Sequence, residues 1–226
     1  MASAPAAGGL AGPLRRALWP VPEWPWLVLA SCAWTALLGH AIHGGGLLAW
    51  VVMVVAMMLP ATLPVARAIS FGSLWDRRHR APAIFLVTYV AIWSLFGALA
   101  LGAWSLVDGR GGSQHATLVI AGLLLAGAGW QLTRQHRRLL KRCHRMRTLG
   151  SRGRAADLAC ARYGAYHARQ CVGVCWPLML AMVPAHRPAL MIAVAGLSTW
   201  QRLARRPRRT ACAAALAGLA LLVLAL

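Results

Sequence analysis

Apolar runs separated by blocks of arginine constrain this chain more than any other feature. Seven stretches, at 24–38, 47–66, 83–107, 116–133, 163–183, 189–203 and 210–226, are dominated by Leu, Ala, Val, Ile, Trp and Gly and carry little charge. A helix needs about 20 apolar residues to cross the hydrocarbon core of a bilayer. Only helices and closed barrels satisfy their backbone hydrogen bonds there. The runs lack the strict alternation of barrel strands and have the length of helices. Charged residues make up 12% of the chain, where a soluble domain carries about a quarter. The expected fold is therefore all-α, a polytopic transmembrane bundle of about seven spans. Residues 1–23, rich in Ala, Gly and Pro, form a tail ahead of a single membrane domain over 24–226.

The basic residues set the orientation. With the N-terminus inside, 22 of the 24 Lys and Arg residues fall on the cytoplasmic side, and only Arg110 and Arg187 fall outside. Joining 163–203 into one span would move five arginines to the wrong face. The positive-inside rule thus selects seven spans, N-in and C-out. This makes a multi-pass membrane protein, its basic face, densest over 134–162, against anionic lipid. The same charge accounts for the +20 net balance without nucleic acid, and no nucleic-acid-reading motif appears. Within the most basic segment, Arg134–Arg147 is expected as a helix along the membrane surface, broken at Gly150 and Gly153. Arg67 is expected to end the second span. Gly122, Ala126 and Gly129 are expected to form one face that admits a neighbouring helix closely.

The six cysteines do not form the framework of a secreted disulfide domain. One segment concentrates soft ligands. On a helix, His167, Cys171, Cys175 and Met179 recur every four residues and share one stripe, and Met182 extends it. Imidazole, thiol and thioether are the donors that soft transition metals prefer. The set predicts copper, as Cu(I), since zinc in a closed site takes four N or S ligands. Met57 and Met58 of the second span are candidate further donors, at a depth compatible with Cys175. A second candidate set, His40, His43, His115 and His186, falls on the outer face. Cys and Met are also ordinary core residues, so packing alone remains the competing account of the stripe.

Several of these segments resemble a bacterial family described as predicted metal-binding integral membrane proteins, a domain family of unknown function. The resemblance rests on Met53-Val-Val-Ala-Met57-Met58-Leu59-Pro60, on Trp130-Gln131-Leu132-Thr133, on Cys143, and on Cys171-Val-Gly-Val-Cys175-Trp176-Pro-Leu-Met179. It covers roughly residues 47 to 203. It implies an integral membrane protein that binds metal. Val174 stands where the family pattern has a cysteine between Gly173 and Cys175, and Leu139 where another is expected. Arg134 and His136 replace a Pro and a Lys, and Gln201-Arg202 replaces a Glu-Lys pair.

Two functional classes follow. One is a soft-metal protein that handles copper or serves as a subunit of a membrane oxidoreductase, with a partner redox subunit. The other is a structural or assembly subunit that binds no metal. A small-solute transporter is a third and weaker alternative, because no carboxylate sits inside a span to relay protons. No catalytic nucleophile with its base, no phosphate loop and no haem motif is present.

Overall fold

A computed structural model describes residues 24–39, 46–73, 77–108, 113–143, 153–184, 187–203 and 209–225. Within them the chain is all-helical, with eight helices and no strand. They are α1 (Trp24–Leu38), α2 (Leu47–Gly72), α3 (Arg80–Asp108), α4 (Ser113–Leu132), α5 (Arg134–Cys143), α6 (Gly153–Leu180), α7 (Pro188–Leu203) and α8 (Arg209–Ala225). The tail at 1–23, His40, His43, Gly150 and His186 lie outside the described residues.

Three helices, α2, α3 and α4, are long and apolar enough to cross a membrane. This is fewer than the seven runs of the sequence. Helices α1 and α8 are apolar but shorter, at 15 and 17 residues, and α7 has 16. Helix α6 is long, at 28 residues, but its first turns are polar. The molecule wears its aliphatic side chains outward: Leu48, Val87, Leu95, Leu99, Leu106, Leu118 and Leu125 are all exposed. Exposed apolar side chains in such number are compatible with a lipid surface.

Helix α2 is the axis of the bundle. Just over half of its apolar stretch is buried, against a third or less for α3 and α4. It packs on α1, α3 and α7, while α6 packs on α3, α4 and α5, and α4 packs most extensively on α8. Pro60 and Pro64 leave α2 unbroken. The buried Thr62 hydroxyl, between the two prolines, is itself satisfied by donating to Leu59 O at 2.8 Å. The helix also continues past Arg67 to Gly72, where the sequence led us to expect its end. Phe71 explains the extension: the Arg67 and Arg78 guanidinium carbons lie 5.7 and 5.3 Å from its ring centre.

Helix α6 begins at Gly153, ten residues ahead of the expected span. Gly153 turns the chain into the helix with φ of 74°, a conformation glycine adopts without strain. Asp157 in the second turn is gripped by Arg77 and by Arg80, the latter at 2.8 Å. A charge-assisted anchor to the start of α3 lets the helix form within the basic segment. At the other end, Ala181, Met182 and Val183 donate to Pro177, Met179 and Leu180 at 3.0–3.1 Å, which tightens the last turn.

The helix contact expected from Gly122, Ala126 and Gly129 is not made by those residues. All three are exposed, and a Cβ on Gly122 or Gly129 would meet nothing within 4 Å. The approach is at Gly127, where a Cβ would come 3.0 Å from Leu178 of α6. An equal spacing of small residues on two faces of α4 left the buried face undetermined until α6 docked.

Candidate metal centre

The soft donors are buried together in one large cluster. Six of the eight methionines and cysteines 143, 171 and 175 belong to two sets that share one buried cluster. Met53, Met57, Met58, Met179, Met182 and Met191 form the first and the three thiols the second. Cys171 and Met179 are fully inaccessible. The register follows from α3 used as a ruler. The Tyr89 hydroxyl lies 3.0 Å from Cys171 Sγ, and Gly97, eight residues further along α3, faces Trp50 of α2. Eight residues from Trp50 in the opposite direction along α2 is Met58. Helices α2 and α3 run antiparallel, so Met57 and Met58 sit at the depth of Tyr89 and Cys171. Helix α2 is not among the elements that pack extensively on α6; these methionines share with the thiols one buried cluster and a level counted along α3.

Six contacts hold the thiol pair in place. Gly164 permits α3 and α6 to touch, since a Cβ there would come 2.5 Å from Phe85 O. Tyr89 then reaches Cys171. Trp50 Nε1 donates to Trp93 O at 2.9 Å and fixes α2 against α3. On the far side of α6, Trp130 Nε1 donates to Gly173 O at 3.0 Å, and its ring meets Trp176 edge-on at 6.0 Å. Leu139 of α5 closes over Gly173. The amphipathic α5 therefore crosses α6 at the level of the cysteines. Its inner face presents His136, Leu140 and Cys143, and its outer face presents Arg134, Arg137, Arg138, Lys141 and Arg142.

His167 is buried one turn before Cys171. The rings of Phe85, Tyr89 and Tyr163 surround it, with centroids 5.7, 6.0 and 6.1 Å away. Among the described residues no three His, Cys, Asp or Glu side chains gather as a metal-binding group. A three-donor set at the thiols therefore has to draw on methionine sulfur. Of the outer histidines, only His115 is described. It stacks on Trp104 at 6.3 Å, an aromatic contact within the α3–α4 corner.

Tyr89 escaped the sequence reading although a signal was available. It is one of three tyrosines, it stands in the middle of an apolar run, and a buried phenol hydroxyl requires a partner. The polar contacts at the α5 end of the bundle were missed as well. Gln201 Nε2 donates to Gln131 Oε1 at 2.8 Å, with both side chains buried. Nearby on α5, outside the spans, burial and then the charge of Arg209 lower the His136 pKa to about 4. Both ring nitrogens of His136 lack hydrogen-bond partners among the described residues.

A family model described as PpoB2, copper chaperone, matches residues 47–226, which takes in α2 through α8 and the whole cluster. No curated protein and no solved structure matches the chain.

Proposed function

The chain belongs to the PpoB2 copper chaperone family, and from that premise we propose that it holds Cu(I) as cargo between Cys171 and Cys175 inside a membrane bundle. The two thiols are the core ligands. Met57, Met58 and Met179 are the thioether donors that complete the shell, and His167 is a helper one turn below. The carrying observation is the burial of two cysteines, one helical turn apart, in a cluster that also holds six methionines. Thiolate with thioether is a donor set suited to Cu(I). Two thiolates around Cu(I) leave one net negative charge, and the Tyr89 hydroxyl, 3.0 Å from Cys171 Sγ, is placed to donate to it.

The setting is a multi-pass protein of the bacterial inner membrane with seven spans, N-in and C-out. The short apolar helices α1 and α8, together with α6 and α7, supply the four spans beyond α2, α3 and α4. The exposed basic face of α5 rests on anionic lipid headgroups at the cytoplasmic side. The thiol pair then lies near that surface, beneath α5, where cytosolic copper is accessible and thiols stay reduced.

Copper analysis of detergent-purified protein, loaded under reducing conditions, tests this reading. Wild type is expected to hold about one Cu(I) per chain through its soft donors. Cys171→Ser/Cys175→Ser is expected to hold none while eluting as the same folded species. Equal copper in both proteins would remove the thiols from the site.

A further inference from the structure

Three methionines of the buried cluster, Met53, Met182 and Met191, have no place in the thiol site. They are nonetheless as inaccessible as Cys171, each at 0–1% exposure. We propose that they continue the site outward, forming a ladder of thioethers along which Cu(I) passes through the bundle toward the opposite face. This rests on the copper-binding reading above and adds to it a direction of transfer.

The positions follow a sequence of depths. Cys171 lies two residues from the exposed Arg169, at the cytoplasmic end. Met57 and Met58 share its level. Cys175 and Met179 follow at about 6 and 12 Å along α6. On α2, Met53 lies five residues outward from Met58, about 7.5 Å, which places it between the levels of Cys175 and Met179. Met182 comes in the tightened turn after α6. Met191 comes in the first turn of α7, its amide donating to Arg187 O at 3.0 Å, beside the connection that returns the chain. Helix α7 packs on α2, so Met191 and Met53 belong to facing elements. The soft donors thus run from the Arg169 end of α6 to the Arg187 end. Successive levels on α2 and α6 differ along the bundle axis by about 6 Å or less, and thioether side chains are flexible.

The surroundings suit a monovalent cation better than aliphatic packing would. Trp50 shares a face of α2 with Met53, and Trp50, Trp93 and Tyr89 are fully buried in the same cluster. Aromatic faces attract a desolvated cation. Leucine fills a similar volume without a sulfur donor, so Met→Leu substitutions separate ligation from packing. Each handover forms one Cu–S bond as another breaks. Copper remains Cu(I) throughout, and no electron is exchanged. Protons displaced from Cys171 and Cys175 on loading leave to cytoplasmic water and return when the metal moves on.

The test uses the full chain in proteoliposomes that enclose a water-soluble Cu(I) chelator. Cu(I) is added outside under a reductant, with a potassium ionophore present so that no potential builds up. Wild type, Met182→Leu/Met191→Leu and Met53→Leu are compared, and bound copper is measured on each purified protein. Wild type is expected to colour the trapped chelator. Both variants are expected to keep wild-type copper content, which also reports an intact fold, and to lose about tenfold or more in transfer rate, as removal of soft ligands implies. Variants that transfer as fast as wild type would return these methionines to packing and overturn the ladder. Wild type that binds copper but transfers none would also overturn it while leaving the thiol site intact. Wild type that binds none would remove the copper-binding reading and the ladder with it.

Discussion

His136 shows how a single side chain in this protein carries a measurable cost. Its ring is buried on α5 at 1% exposure, and its pKa drops from 6.5 to about 4, by desolvation first and by Arg209 second. The unfolded chain therefore takes up the proton before the folded one. Stability from this group is fully present above pH 6.5 and is lost as the pH falls through 4. The shift corresponds to ~3 kcal/mol at most. The apparent Tm in detergent is expected to fall from about pH 7 to about pH 4.5 in wild type, and to fall less in His136→Leu. An equal fall in both proteins would place the pH sensitivity elsewhere. Among the site residues, Cys171, Cys175 and Met179 were legible from their period of four, because helical spacing alone puts them on one stripe. Tyr89 lies 82 residues from Cys171 in sequence, and no local pattern connects the two.

At the level of the helix, α6 makes close glycine contacts with α3, α4 and α5. Gly164 is the tightest of these contacts with backbone: a Cβ would come 2.5 Å from Phe85 O. A carbonyl of a packed helix cannot rotate away as a side chain end can. Gly164→Ala is expected to destabilise by about 1–3 kcal/mol through overpacking and to displace Tyr89 from Cys171. Gly122→Ala, with open space around it, is expected to be neutral or to gain up to about 1 kcal/mol from helix propensity. Thermal unfolding of the two variants side by side checks both. If Gly164→Ala melted with wild type, the close crossing of α3 and α6 would be wrong. The helices themselves were readable in the sequence, and each of the seven apolar runs corresponds to one of them. Their ends were less so. Helix α2 ran on past Arg67 because Phe71 engages Arg67 and Arg78, and α6 began early because Asp157 is held by Arg77 and Arg80. These contacts come from outside the segments they extend.

For the molecule as a whole, the topology is the claim with the widest consequences. Reporter domains fused after residue 75 and after residue 226 distinguish the arrangements. Seven spans with the N-terminus inside predict a cytoplasmic reporter at 75 and an external one at 226. A cytoplasmic reporter at both positions would require an even number of spans, and the depths assigned to Met182 and Met191 would have to be reassigned. The chain's own order of residues settled that it is helical, that its apolar segments outnumber its polar ones, and where a pair of thiols shares a stripe. These properties depend on composition, on charge blocks and on a period of 3.6, all of which act between near neighbours. Which stripe faces which helix was decided only when the helices packed. Glycine at 164, and not the small residues of α4's outer face, sets how closely α6 approaches. The resulting register brings Tyr89 to Cys171. An apolar helix in lipid has no hydrophobic preference for one face over another. The choice therefore falls to steric fit and to a few hydrogen bonds between residues far apart in the chain.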